Sequence, residues 1–570
     1  MFSLIENFRN CDHDCSAVPA KRREKFLRQF SRSEDGAMLV FAVYVFLIIL
    51  MVGGIGIDLM RFERDRSKLQ YTLDRAVLAA ADLDQPMEPE AVVQDYFAKS
   101  GLGDYLASVT VDQGLGYRVV SATASADVQT QFMRMNGVET LTAPAAGTAE
   151  ERIDGVEISL VLDVSGSMNS NSRLPNLIIA AQDFIDTMDD NSSDGDMSVS
   201  IIPYATQVSV PDELMSQFNV STEHDYSNCI NFEGTDFDTA AMSGTQAYQR
   251  TMHFDPWYNY DGMDNNPKAL LGMDSGGNTL PVCEARPDRE VMVLQKDPNI
   301  LKSYIRNLTA RGNTSIDVGM KWGTALLDPS LRPAVNSMIG AGIVPAEFAP
   351  RPNGHNDGET LKVIVLMTDG ENTSQYYIND GYRVGDSDIW FNDQEDAYSV
   401  YYPPYDAYYW PDDNKGSYGN KWADHPYGND GYGCIGSRIS DWSCRDRTES
   451  GSSVNLSYPD LWAYVTLKAN VIRRYYPFMN DSTAYNRWYY DVRNYVNSTI
   501  KDARTKAICD TAKDEQIIVF TIGFEAPRGG RAVLKDCASS DAHYFDVQGL
   551  AITDAFASIA SSIRKLRLTQ

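Results

Sequence analysis

Two short stretches gather oxygen-bearing side chains in a pattern suited to a hard cation. Asp163, Ser165 and Ser167 alternate along Asp-Val-Ser-Gly-Ser, directly after the apolar run 156–162. One carboxylate and two hydroxyls on so short a loop are hard ligands, and Gly166 permits the tight path between them. Asp369, in Thr-Asp-Gly-Glu-Asn, ends a second apolar run at 361–367, and Thr314 lies in Arg-Gly-Asn-Thr-Ser-Ile-Asp ahead of a helical pattern. Thr309 and Ser315 offer the same hydroxyl chemistry nearby, and the pentad alone also reads as a turn whose Ser or Asp caps the next helix. Other chemistries fit less well. Six scattered histidines, without His-Glu-x-x-His or Cys-x-x-Cys, argue against zinc. There is no phosphate-cradling Gly-Lys-Ser/Thr loop and no Gly-x-Ser-x-Gly elbow. A phosphatase of the haloacid dehalogenase type needs a second Asp two residues after its nucleophile, where this chain has Ser165. The expectation is therefore a binding protein without catalytic residues and without a small-molecule substrate.

The elements that must position these residues are legible as apolar runs. Strands are expected at 156–162, 197–202, 361–367 and 516–522. Between them lie helical patterns, such as Leu174, Leu177, Ile178, Ala181, Phe184 and Ile185, and a last one with Ile552, Phe556, Ile559 and Ile563. Continuous Val/Ile/Leu strands alternating with amphipathic helices predict an α/β, Rossmann-like domain over 151–570, a mostly parallel sheet flanked by helices. Ligands of open α/β sheets bind beyond the carboxyl ends of strands, where Asp163 and Asp369 fall. Residues 205–300 and about 373–495, rich in Asp, Asn, Gly, Tyr and Trp, read as large insertions. Asp261, Asp264, Asn265 and Asn266 in the first suggest a possible Ca²⁺ loop, although such clusters also form ordinary turns.

Residues 37–57 carry no charge; about 21 residues at about 1.5 Å each match the roughly 30 Å hydrocarbon layer. Lys21, Arg22, Arg23, Lys25, Arg28 and Arg32 precede the run. They predict a cytoplasmic segment 1–36, a single membrane span at 37–57 and an extracytoplasmic remainder. Residues 58–150 then read as a helical and β-containing stalk, with strand alternation over 109–128 and an Ala/Thr/Pro/Gly linker over 141–148. Cys11 and Cys15 fall on the reduced side. Cys229, Cys283, Cys434, Cys444, Cys509 and Cys537 fall in a disulfide-permissive compartment, with sequential pairing the simplest of the many arrangements they allow. A net charge of −28 makes nucleic acid an improbable partner.

The pentad, Thr314 and Asp369 together resemble the von Willebrand factor A domain and its metal-ion-dependent adhesion site. That resemblance implies Mg²⁺ or Mn²⁺ held by Asp163, Ser165, Ser167, Thr314 and Asp369, with one position left for a partner protein's carboxylate. A stand-alone Ca²⁺-stabilised surface adhesin or sensor is the alternative. The start of the chain, Phe-Ser-Arg-Ser-Glu-Asp-Gly from Phe30, the apolar span, Gly-Ile-Asp at 56–58 and Leu-Gln-x-x-Leu-Asp-x-Ala-x-Leu-Ala-Ala-Ala at 69–81, resembles TadG-like proteins of tight-adherence (Flp) pilus assembly. So does the ending around Cys509, Ile-Ile-Val-Phe-Thr-Ile-Gly-Phe and Cys537. The resemblance implies pilus or secretion components as partners. Gly36 is followed five residues later by Phe41 rather than the Glu of the prepilin-peptidase signature, so the anchor is expected to stay uncleaved.

Overall fold

The computed structural model describes residues 35–82, 85–114, 117–152, 155–190, 196–257, 279–355, 360–411, 420–428 and 431–567. The N-terminal basic cluster, Cys11, Cys15 and the group Asp261, Asp264, Asn265 and Asn266 lie outside the described residues. The chain forms two compact units that divide close to residue 151.

The first unit is built on one long helix, α1 (Asp35–Ala81), whose stretch Met38–Ala81 is long and apolar enough to cross a membrane. The uncharged residues 37–57 and the start of the expected stalk, as far as Ala81, thus form a single helix. Its last turns bury Leu69, Leu73, Ala76, Val77 and Ala80 against Val92, Val93 and Phe97 of α2 (Pro89–Lys99). The same core receives the inner face of a sheet ordered β1 (Leu106–Gly114), β2 (Tyr117–Gln129), β3 (Thr140–Arg152). The expected linker at 141–148 is corrected here, because it is part of strand β3. Ala143, Ala145 and Ala149 are buried while Thr142, Pro144 and Ala146 face out, a period-two pattern hidden by small side chains. The small residues follow from the nearness of α1, and Pro144 is tolerated because β3 is an edge strand.

The second unit centres on a six-stranded sheet. In chain order its parts are β4 (Gly155–Asp163), α3 (Arg173–Asp189), β5 (Met197–Tyr204), β6 (Met292–Gln295), α4 (Pro298–Arg306), α5 (Ile316–Ala325), β7 (Thr360–Thr368), α6 (Ser498–Asp514), β8 (Ile518–Phe524), α7 (Arg528–Cys537), β9 (Tyr544–Val547) and α8 (Ala551–Arg567). The strand order is β9-β8-β7-β4-β5-β6, with every pairing parallel except that of edge strand β6 on β5. Residues Val156, Ile158, Leu160 and Leu162 of β4 pack towards α3, α4 and α8, while Val161 packs into the core beneath α5 and α6. Helix α5 can lie this close because it carries glycine against the strand: a Cβ at Gly323 would stand 2.5 Å from Val161 Cγ2.

The mostly parallel arrangement expected for the domain holds for this central sheet alone. Residues 386–457 form a separate seven-stranded sheet whose pairings are all antiparallel, so the chain as a whole is mixed α/β. Its core is aromatic: Tyr398, Tyr409, Trp422, Trp462 and Trp488 pack with Met252 and Phe254 from the first insertion. Three disulfides join Cys229 to Cys283, Cys434 to Cys444 and Cys509 to Cys537, the sequential pairs.

Candidate metal and adhesion site

Asp163 closes β4 and Asp369 follows the neighbouring strand β7, so parallel pairing alone brings the two loops together. Asp163 is fully buried and both of its oxygens are engaged. Oδ1 accepts from the Ser165 backbone N–H at 2.7 Å, and Oδ2 accepts from Thr368 Oγ1 at 2.5 Å. It thereby folds the pentad back on itself and ties β4 to β7. Ser165 Oγ lies 3.0 Å from Ser167 Oγ, which donates to Asp369 Oδ1 at 2.6 Å. A Cβ at Gly370 would sit 3.4 Å from Thr314 Oγ1 and 3.9 Å from Ser167 Oγ, so the Thr314 and Ser167 hydroxyls converge over that glycine. The structure thus gathers Asp163, Ser165, Ser167, Thr314 and Asp369 at the carboxyl end of the sheet. The competing hydroxyls are occupied elsewhere: Thr309 Oγ1 donates to Asp288, and Ser315 Oγ donates to the Thr206 carbonyl.

Several supporting residues carried no signal in the sequence. Arg173, the first residue of α3, donates from Nη1 to Asp369 Oδ2 at 2.7 Å and from Nε to Glu525 Oε2 at 3.0 Å. The chain reaches it through Asn171 and Ser172, both left-handed at φ 53° and 58°, and Glu525 is left-handed as well at 56°. Non-glycine residues in that region cost free energy and cluster where a side chain must be aimed. Below the site, the buried Lys501 Nζ donates to the Thr314 carbonyl at 2.8 Å, the Thr373 carbonyl at 2.9 Å and Ser315 Oγ. Asn372 Oδ1 accepts from the Ile316 N–H at the start of α5. A lysine in α6 and an asparagine after Asp369 therefore fix the Thr314 loop. Nothing in their local sequence distinguishes them from ordinary helix and turn residues.

Burial and then the neighbouring Asp369 carboxylate push the Asp163 carboxyl up to about 7. Burial, followed by the Asp163 charge, holds the Tyr204 phenol well above its usual value. Burial lowers the Lys501 ammonium to about 8. Two buried carboxylates thus stand side by side at an otherwise partly exposed loop cluster, and Arg173 pairs directly with one of them, a charge distribution that favours an added cation. Among the described residues no group of three or more His, Cys, Asp or Glu side chains is arranged to hold a metal ion. A cation here must rely on hydroxyl oxygens alongside carboxylate.

Residues 36–83 match the model of a family described as putative Flp pilus-assembly TadE/G-like. No curated protein matches the chain in sequence. Among solved structures, the chain is similar to the pilus adhesin SpaC from Lactobacillus rhamnosus GG (open conformation) at 11% identity and TM-score 0.28, covering 80% of this chain and 33% of that one. It is similar to the vWF domain of the type V pili tip protein Mfa5 from Porphyromonas gingivalis at 17% identity and TM-score 0.29, covering 72% and 95%. The adhesive tip pilin GBS104 from Group B Streptococcus agalactiae gives 13% identity and TM-score 0.27, with 72% and 100% covered. The chain spans about a third of the SpaC chain and nearly all of the Mfa5 and GBS104 chains.

Proposed function

We propose that this protein is a membrane-anchored, pilus-associated adhesion component. Its von Willebrand factor A-type domain docks a partner's carboxylate through Mg²⁺ or Mn²⁺. The observation that carries this reading is a hydroxyl cluster beyond the carboxyl ends of β4 and β7: Ser165 Oγ beside Ser167 Oγ, which donates to Asp369, with Thr314 Oγ1 close by over Gly370. The donor set is entirely hard oxygen, as Mg²⁺ requires. Asp163 shapes the loop and supplies charge, Arg173 holds one Asp369 oxygen, and the other Asp369 oxygen accepts from the Ser167 hydroxyl. A bound divalent ion would supply the positive centre for an incoming carboxylate. The family match over 36–83 supports a pilus setting, and the apolar part of α1 supports an anchor. With the preceding basic cluster inside, the second unit lies outside the inner membrane, where acidic segments of pilus or secretion proteins are its partners.

The test is Mn²⁺ binding to the full chain in detergent, followed by paramagnetic resonance, for the wild type and for a Ser165→Ala/Ser167→Ala double variant. The wild type is expected to bind one ion, and the double variant to bind at least about tenfold more weakly, a loss of about 1.4 kcal/mol or more. Equal binding by the two proteins would show that the hydroxyl cluster is not a metal site.

A further inference from the structure

Between residues 38 and 68 helix α1 is exposed or half-exposed at every position but two. Gly54 and Asp58 are buried, one turn apart on a single face. What covers them is the hairpin connecting β2 to β3. Asp58 Oδ1 accepts from the Gln131 N–H at 3.0 Å, and Oδ2 accepts from the Phe132 and Met133 N–H groups, each at 2.8 Å. The Phe132 ring lies on Gly54 so closely that a Cβ there would stand 2.4 Å from Cγ. One carboxylate on the helix thus holds three consecutive backbone N–H groups of the connection, and one glycine makes room for its aromatic ring.

The position of this contact along α1 sets its depth. Gly54 precedes the end of the uncharged run by three residues, about 4.5 Å at about 1.5 Å per residue. Resting on the proposed membrane anchor, we infer that residues 131–138 form a second membrane contact, a loop that dips into the bilayer at the boundary of headgroups and acyl chains. The side chains suit that boundary. Phe132 lies against the apolar part of the helix, Met135 is 81% exposed and Val138 36% exposed, and Arg134 is exposed beside them. Apolar side chains flanked by a cation, on an element fixed at the end of a span, are the chemistry of an interfacial anchor. The occupant of this surface is lipid rather than protein, because the loop continues the lipid-facing surface of the same helix.

The experiment uses the full chain with Cys11→Ser and Cys15→Ser, which leaves the disulfide cysteines in place. Single thiols are introduced by Met135→Cys, Leu47→Cys or Gln94→Cys and labelled with an environment-sensitive fluorophore. Each protein is reconstituted into phosphatidylcholine–phosphatidylglycerol vesicles containing lipids spin-labelled either near the headgroup or near the acyl terminus. Leu47 lies within the span, and Gln94 is an exposed residue of α2, which packs on the last turns of α1 far beyond it. The expected result is that the Leu47 probe is quenched most by the deep label and the Gln94 probe by neither. The Met135 probe should lose most of its emission to the shallow label. Adding Asp58→Ala, which frees the loop, should abolish most of the Met135 quenching and leave that of Leu47 unchanged. Quenching at Leu47 with none at Met135 would overturn the loop contact while the anchor stood. No quenching at Leu47 would remove the anchor itself, and the inference with it. A Met135 probe shielded from aqueous iodide but untouched by either lipid label would mean that protein covers the loop, which also overturns it.

Discussion

Burial and the nearby Asp369 move the Asp163 carboxyl from its ordinary value of 3.8 up to about 7, and this shift has a stability consequence. The folded protein binds a proton at Asp163 that the unfolded chain has released across this pH range. The stability it contributes is therefore fully present below about pH 3.8 and is lost as pH rises through about 7. The Asp163→Asn variant carries no such proton. Relative to it, the metal-free wild type is expected to lose on the order of 1–4 kcal/mol between pH 5 and 8, read from denaturant midpoints in chelator. Under the proposed function, added Mg²⁺ reverses that slope, because the cation binds only the ionised form. A wild type and variant that track each other across the range would show that Asp163 titrates normally. That Asp163, Ser165, Ser167 and Asp369 come together was legible because hydroxyls and carboxylates at strand ends form a local pattern, whereas Thr314, ahead of a helix, was singled out from its neighbours only through the family resemblance. Arg173 and Lys501 were not legible, because each reaches the site only through tertiary packing, and Asn372, although in the Asp369 loop, shows its role only through its bond to the Ile316 N–H. Lys501 stands 187 residues from the Thr314 carbonyl that it holds.

At the scale of elements, long apolar runs betrayed the central strands, whereas small residues concealed β3. An Ala/Thr/Pro/Gly stretch carries too little hydrophobic contrast to display its period of two, and only its partner α1 explains why alanine suffices there. The same close approach recurs at α5 on β4. Replacing a helical glycine by alanine usually stabilises by up to about 1 kcal/mol through propensity. At Gly323 the new Cβ would meet Val161 Cγ2 at 2.5 Å, so the steric cost outweighs the propensity gain. Gly323→Ala is expected to destabilise by about 1–3 kcal/mol in thermal unfolding. In a Val161→Ala background, which lacks the clashing methyl, Gly323→Ala should cost less than it does in the wild type, a coupling read from the double-mutant cycle. A Gly323→Ala protein that melts above the wild type would show that the helix can move away from the strand at little cost.

Across the whole molecule, the composition break at 205–300 and 373–495 was visible, but the seven-stranded sheet inside it was not. Its strands are built from Tyr, Trp, Ser and Asn rather than Val and Ile, and ring packing in place of aliphatic burial leaves only a faint alternation. The insertion core and the central sheet therefore rest on different interactions, and their disulfides should matter to different extents. Cys434–Cys444 closes a sequence separation of 10 between paired residues of neighbouring strands at the edge of the insertion sheet. Cys509–Cys537 closes a separation of 28 and ties α6 to α7, and α6 carries the Lys501 that holds the Thr314 loop. Loop-closure entropy alone assigns about 3–4 kcal/mol to the longer crosslink and slightly less to the shorter one. The positional difference is the larger effect. Cys509→Ala/Cys537→Ala is expected both to lower the unfolding midpoint and to weaken Mn²⁺ binding, because α6 loses its tie to α7 beside the site. Under the proposed function, Cys434→Ala/Cys444→Ala is expected to lower stability with binding intact, since no described residue of that hairpin is hydrogen-bonded to the Asp163, Thr314 or Asp369 loops. Equal loss of binding in the two double variants would mean that the insertion sheet and the central sheet unfold as one cooperative body. The site would then depend on both.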